Sequence, residues 1–384
     1  MQYRKFGSLD FDVSLLGFGC MRLPVLDGDA SRIDEARAIP LLRHGIDCGV
    51  NYIDTAYGYH GGKSEEFVGR ALQDGYRERV RVATKLPTYR CKEPGDPGRL
   101  LHEQLERLGT GHIDFYLLHG LDGRDWEQLQ GLDICRWLDS AMAGGSIGHA
   151  GFSFHGAADS FESIIDAYPW AFCQIQLNYM DVEYQAGLRG LRYAGARGIP
   201  VVVMEPLKGG KLAARPPRDI QAIWDGAARQ RTPADWALRW VCNFPEVACV
   251  LSGMNSLEQL EENLATVEAA FPHHLTGPEL ERFDRVREAY ARRIQVACTD
   301  CSYCLPCPQG VGIPRVFSLY NDGCMYETTA QSAHWYQRLL EHGRGAPSCT
   351  ACGECETKCP QGLPIIHRLQ DAHCRLTRDE ASEH

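Results

Sequence analysis

The chain has 384 residues, 44% of them hydrophobic, and a formal net charge of −10. That length has room for one large domain and a smaller one, and the composition is that of a folded globular chain. Acids and bases are interspersed, which argues against a nucleic-acid surface, and no apolar run reaches the roughly 18 residues that span a bilayer.

Up to about residue 270, short apolar runs alternate with amphipathic stretches. The strand candidates, in chain order, are Val13–Phe18, Asn51–Asp54, Val80–Thr84, Phe115–Leu118, Ile147–Phe152, Cys173–Leu177, Pro200–Met204 and Ala248–Leu251. The segment before Val13 is expected to form a hairpin closing the bottom of the sheet structure. Helix signals lie between the strands. Pro40 interrupts the first helical pattern, so that helix starts either before the proline or at it. Leu101, Leu105 and Leu108 form an apolar stripe that stops at Gly109. Thr232-Pro233 pairs an N-cap with a proline at the first helical position, and Ser256-Leu257-Glu258-Gln259 reads as a capping box. Eight alternations without long structureless gaps predict an α/β fold, a (β/α)8 TIM barrel, over residues 1–272. The rival is a doubly wound sheet, but no G-x-G-x-x-G follows an early strand. A further helix is predicted over Pro278–Arg293, within a second region, 273–384.

Barrels carry their chemistry at the C-terminal ends of strands. Those ends supply Asp54, Lys85 and His119, with Tyr59 in the loop five residues past Asp54. The set is chemically coherent. A tyrosine is a weak acid, with a pKa of about 10. A neighbouring lysine cation is expected to favour the phenolate and lower that pKa. The buried lysine needs an anion, which Asp54 supplies, and a histidine can orient a carbonyl oxygen toward the acid.

Asp54-Thr55-Ala56-Tyr57-Gly58-Tyr59, Ser64-Glu65-Glu66, Ala83-Thr84-Lys85 and Tyr116-Leu117-Leu118-His119 together resemble the aldo-keto reductase family, over about Arg4 to Val267. The resemblance implies Tyr59 as general acid/base, Lys85 and Asp54 tuning it, and His119 orienting the carbonyl; Tyr57 is expected to line the pocket. It also implies a nicotinamide dinucleotide across the barrel mouth. Ser153 and Gln174 would meet the nicotinamide amide, Glu262 and Asn263 the adenine. The loop Leu207-Lys208-Gly209-Gly210-Lys211 offers amides and positive charge for a pyrophosphate, although a solvated surface turn reads the same way. Three positions depart from the family pattern. Phe154 stands where asparagine usually follows the serine, and Met204 where an aromatic ring commonly stacks on the nicotinamide. The stretch Ser252–Gln259 holds no lysine or arginine to grip a 2′-phosphate, so the cofactor is NAD(P) with weakened NADP preference and NAD a serious possibility.

Of the 17 cysteines, ten lie at or beyond Cys298. The start, Met1-Gln2-Tyr3-Arg4-Lys5-Phe6, lacks the features of a secretory signal, so metal-bound thiolates in a cytoplasmic protein are expected rather than a disulfide framework. The first run is Cys298, Cys301, Cys304 and Cys307, followed by Pro308. The second is Cys349, Cys352, Cys355 and Cys359, followed by Pro360. Structural zinc sites use pairs of knuckles separated by a longer loop; two closed runs of three or four cysteines favour iron–sulfur. The second run resembles the bacterial ferredoxin pattern, in which the fourth cysteine crosses to the other cluster. That resemblance implies two [4Fe–4S] clusters in a C-terminal, mainly helical ferredoxin-like domain. Cys298, Cys301, Cys304 and Cys359 would hold one cluster, and Cys307, Cys349, Cys352 and Cys355 the other. The scattered barrel cysteines are expected to pack as small apolar residues, with Cys20 near the mouth.

The leading expectation is thus an NAD(P)-linked oxidoreductase acting on a small carbonyl or alcohol, with no nucleic-acid or membrane partner. A hydride carries two electrons whereas each cluster carries one, so the clusters serve electron transfer to a redox partner protein, sensing or structure. The alternative is an iron–sulfur electron-transfer protein whose barrel is a modified scaffold.

Overall fold

The computed structural model describes residues 1–378. Its first two strands, β1 (Tyr3–Lys5) and β2 (Asp12–Ser14), form an antiparallel hairpin. Eight parallel strands follow: β3 (Leu16–Gly19), β4 (Tyr52–Asp54), β5 (Arg81–Leu86), β6 (Ile113–Leu121), β7 (Ile147–Phe154), β8 (Phe172–Gln176), β9 (Val201–Met204) and β10 (Val247–Ser252). They pair in sequence, and β10 closes on β3, giving a closed eight-stranded barrel. Strands buried on both faces read as continuous apolar runs, as Val201–Val203 does.

The expected strand Val13–Phe18 is split between two sheets. Val13 belongs to the hairpin and Leu16 to the barrel. The kink is fixed by Ser14, whose hydroxyl donates to Leu16 O at 2.7 Å and accepts from Asn51 N at 3.0 Å. The hairpin plugs the barrel's lower end. Phe6 is wholly buried, with its ring 4.9 Å from Phe115 and 5.4 Å from Phe172. A Cβ on Gly151 would come within 2.5 Å of the Phe172 ring, so this strand position admits only glycine beside it.

Helices surround the barrel. The first spans Glu35–Asp47 and contains Pro40, so it begins before the proline; Pro40 sits on its exposed face, where a missing N–H is tolerated. The stripe helix is Asp96–Leu108, ended by Gly109 at φ 62°. The helix Pro233–Cys242 is capped by Thr232, whose hydroxyl accepts from Asp235 N at 3.1 Å. The helix Leu257–Glu268 has Ser256 as its cap; Gln259 returns its side chain to Asn255 N, one residue before the cap.

The chain divides into two compact units. One comprises Met1–Ala213 and Arg231–Thr276; the other comprises Ala214–Gln230 and the chain from Gly277 onward. The second unit is helical. In it, the short helix Arg218–Asp225 packs on the helix Gly277–Ala291, with Trp224 5.2 Å from Phe283 and Arg282 donating to Gly226 O at 2.8 Å. The helices Ile313–Tyr326, Thr329–Glu341 and Ile365–Thr377 enclose a core that includes Phe317, Tyr336 and Leu369. Among the described residues, no helix is long and apolar enough to cross a membrane.

Candidate functional site

The barrel's period-two alternation delivers the mouth residues. Tyr52, Ala83, Phe115, Leu117, Phe172 and Val202 belong to the interior core. Two residues further along their strands stand Asp54, Lys85, His119, Gln174 and Met204, so the same inward face that fills the barrel carries polar groups at its top. β6 extends past the expected Leu118, and its register with β7 shifts between Leu118 and Leu121. Within that irregularity, Gly120 has φ 66° and donates its N–H to Ser153 Oγ at 2.8 Å, while Thr88 donates to His119 O at 2.8 Å. A bulge of this kind re-aims the side chain it contains, here His119.

Lys85 organises the mouth. Its ammonium donates to Asp54 Oδ1 at 2.7 Å, to Thr55 O at 2.8 Å and to the Tyr59 hydroxyl at 3.5 Å. All three N–H bonds are used, in a site where Lys85 is 1% and Asp54 2% exposed. Burial alone would discharge Lys85, but Asp54 and Tyr59 outweigh it and hold its pKa above the ordinary lysine value. The expected lowering of Tyr59 is reversed. Burial pushes its pKa up by more than Lys85 pulls it down, and Asp54 adds to the rise, so the phenol stays protonated. The His119 ring stands edge-on to the Tyr59 ring at 6.1 Å. Burial, then Lys85 and His155, pull its pKa down to about 3, leaving a neutral imidazole.

The residues suggested for the dinucleotide are placed as follows. Ser153 is buried, facing Gly120 N. Gln174 is buried as well; its Nε2 meets Met204 Sδ at 3.5 Å, and its Oε1 has no hydrogen-bond partner among the described residues. Phe154 faces the helix layer, 5.1 Å from Phe161, and gives the mouth no polar group. Lys208 is ion-paired with Asp181 at 2.7 Å, so the expected positive loop is locally neutralised. Its neighbour Gly209 has φ 67°, a left-handed turn position. Asn263 is buried and donates to Ser252 Oγ at 3.0 Å, and Glu262 accepts from the Thr232 hydroxyl. Tyr57 turns its hydroxyl to Glu103 at 3.0 Å, with Arg107 4.0 Å from its ring. Two charged residues at the mouth gave no signal in the sequence: Asp181, and Arg22, which pairs with Glu205 at 3.4 Å and runs alongside Gly253. Both act through loops far apart in the chain.

In the second unit, the cysteines gather at two cavities. One is lined by Cys298, Cys301, Cys304 and Cys359. The other is lined by Cys307, Cys349, Cys352 and Cys355, with Cys304 at its edge. Each set spreads around a space, and among the described residues no group of His, Cys, Asp or Glu could hold a single metal ion. The two runs share a backbone pattern. Asp300 and Ala351, two residues past the first cysteine of each run, have φ 57° and 54°; Ser302 and Gly353, four past it, have φ 60° and 79°. Alternating left-handed residues of this kind turn successive N–H groups inward, toward an anionic centre. Ala351 N already donates to Cys349 Sγ at 3.4 Å.

Comparison with known proteins agrees with both halves. The model of a 4Fe-4S dicluster domain matches residues 297–364. Among curated relatives, an uncharacterized oxidoreductase, YqkF of Bacillus subtilis, is 25% identical, over 73% of this chain and 95% of its own. L-galactose dehydrogenase of Arabidopsis thaliana is 26% identical, over 70% of this chain and 88% of its own. Among solved structures, the holo form of aldo-keto reductase AKR11C1 from Bacillus halodurans superposes with a TM-score of 0.63 at 26% identity, covering 74% of this chain and 96% of that one. The model of the aldo/keto reductase family matches residues 15–286. That span takes in all eight barrel strands and Asp54, Tyr59, Lys85 and His119, and the chain belongs to the aldo/keto reductase family.

Proposed function

We propose that the protein is an NAD(P)-linked oxidoreductase that interconverts a small carbonyl compound and its alcohol, with Tyr59 as general acid/base. The observation that carries this reading is the buried Lys85 ammonium, bonded at once to Asp54, Thr55 O and the Tyr59 hydroxyl. A bound nicotinamide dinucleotide would supply the hydride. Ser153 and Gln174 Oε1, unpartnered among the described residues, suit its carboxamide. The left-handed turn at Gly209 suits its phosphates through backbone N–H groups, since the Lys208 charge is already taken up by Asp181. In the reducing direction the Tyr59 proton passes to the carbonyl oxygen as the carbonyl carbon gains the hydride. The raised pKa of Tyr59 keeps that proton in place until the transition state, and the adjacent Lys85 then stabilises the phenolate left behind. Neutral His119 orients the carbonyl oxygen through a ring N–H and adds no competing charge.

The cysteines fit two [4Fe–4S] clusters with crossed ligation: Cys298, Cys301, Cys304 and Cys359 for one, Cys307, Cys349, Cys352 and Cys355 for the other. The match between each crossed set and one cavity supports this. Six of the eight, Cys298, Cys304, Cys307, Cys349, Cys355 and Cys359, pack against the core of the helical unit, so cluster binding also closes that core. The test of the enzymatic reading is turnover of a carbonyl panel with NADH or NADPH by anaerobically purified protein. A loss of about 10²–10⁴-fold in Tyr59→Phe, with the cluster absorbance unchanged, is expected. Cluster reduction without carbonyl turnover would instead favour the electron-transfer reading.

A further inference from the structure

Next to the proposed acid stands a histidine that the mechanism does not use. His60 follows Tyr59 directly, is 8% exposed, and has φ 53° and ψ 43°, a left-handed conformation uncommon for a residue other than glycine. Gly61 continues the left-handed turn at φ 62°. The turn directs the His60 ring into the loop that leaves β3.

Both ring nitrogens are engaged there. Nδ1 lies 2.7 Å from Ala30 O, and Nε2 lies 3.2 Å from Leu23 N. A carbonyl accepts and a backbone N–H donates, so the ring must be the neutral tautomer with its proton on Nδ1. One imidazole therefore joins two points seven residues apart in a single loop to the residue after Tyr59. The loop between them is internally bonded: Val25 bridges Ile33, Leu26 N donates to Arg32 O, and Asp34 N donates to Pro24 O. Leu23 itself is 3% exposed. Nearer the barrel, the same loop is pinned by Cys20 N donating to Asp54 O at 2.8 Å and by Ser64 Oγ donating to Cys20 O at 3.1 Å. The Tyr59 turn is thus held from both sides, by the strand end below and by the loop above. By contrast, the one hydrogen bond that the described residues give the Tyr59 hydroxyl, from Lys85, is long at 3.5 Å and cannot by itself fix the ring.

We infer that His60 is a positioning residue for Tyr59: by clamping the Tyr59–Gly62 turn to the 20–33 loop, it sets the phenol between Lys85 and His119. The inference rests on the proposed role of Tyr59, and it adds that the precision of that role comes from the loop following β3. His60 contacts neither substrate nor dinucleotide in this account. Its removal acts on the chemical step rather than on binding.

The experiment compares wild type, His60→Gly, His60→Asn and Tyr59→Phe as full-length holoproteins. Glycine keeps the left-handed turn and opens a space the size of an imidazole. His60→Gly is expected to lower kcat by about 10²-fold, the scale of a misplacement near 1 Å. Both KM values should stay within about threefold. Added imidazole should restore a large part of the loss, which a general loosening of the barrel would not allow. His60→Asn, which tolerates the turn and keeps one donor, should fall between glycine and wild type. Hydrogen exchange provides the readout that needs no turnover: peptides covering 20–33 and 56–63 should exchange faster in His60→Gly, and peptides from β7 to β9 should not. Unchanged kcat in His60→Gly, alongside loss of activity in Tyr59→Phe, overturns the clamp and leaves the acid/base role standing. If wild type turns over no carbonyl, the acid/base role fails, and unchanged exchange in both loops then overturns the clamp as well.

Discussion

Lys85 Nζ lies 2.7 Å from Asp54 Oδ1 at the top of a closed barrel, and neither side chain is more than 4% exposed. A buried pair of this kind adds little net stability, yet removing one partner is costly, because the other charge is left without compensation. Lys85→Met should therefore destabilise the barrel by about 3–5 kcal/mol. The double variant Asp54→Asn, Lys85→Met should recover most of that loss while remaining inactive. Denaturant melts monitored on barrel tryptophans check both; an additive double variant would mean that the two residues are not coupled.

Tyr59→Phe removes one hydroxyl from a site that otherwise keeps its packing. Loss of a general acid lowers turnover by about 10²–10⁴-fold. Dinucleotide affinity, followed by fluorescence titration, should be unchanged. A variant that weakens cofactor binding as strongly as turnover would place Tyr59 in a binding role.

The acid side of the stability curve should carry the mark of His119. Folding holds this ring neutral, with its pKa down at about 3, whereas an unfolded histidine takes up its proton near pH ~6.5. Between these values the unfolded chain binds a proton that the folded chain refuses, so stability falls as pH drops below ~6.5 and is fully present above it. His119→Gln should flatten this decline. Urea melts of the two proteins at pH ~7.5 and ~5.5 give the comparison, and parallel losses in both would rule it out.

Crossed ligation predicts which pairs of cysteine variants are redundant. Cys298→Ser with Cys359→Ser should strike one cluster twice, leaving about four iron atoms per chain. Cys349→Ser with Cys359→Ser should strike both. Iron analysis with electron paramagnetic resonance after dithionite reduction separates the outcomes; the reverse pattern would mean that each run serves its own cluster.

The turn Ser252–Gln259 offers no lysine or arginine, and Arg22 alongside Gly253 is already paired with Glu205. Titration should give NADH and NADPH affinities within about tenfold of one another, or about 1.4 kcal/mol. A large NADPH preference would overturn this reading of the turn.

The sequence made legible whatever depends on period and spacing. Alternating runs marked the barrel, and the C-terminal ends of its strand candidates, with the motifs around them, led to Asp54, Lys85 and His119. What escaped is set by contacts distant along the chain. Lys208 looked like a free cation because Asp181, its partner, lies in another loop. Val13–Phe18 looked like one strand because the kink at Ser14 is made with Asn51. The sign of the Tyr59 shift depends on how deeply the phenol is buried, which no nearest-neighbour pattern encodes.

The excursion Ala214–Gln230 makes the two units inseparable by any single cut. The chain leaves the barrel after β9, gives the second unit a helix, and returns to complete the barrel before the rest of that unit has been synthesised. On the ribosome, Trp224 emerges ahead of Phe283, the ring it packs against. A chain stopped at Thr276 would keep all eight barrel strands and still carry an amphipathic helix whose Trp224 has lost the Phe283 ring it packs on. Expressing the barrel alone therefore calls for two deletions, the tail and the 214–230 loop, joined across the ends at Ala213 and Arg231.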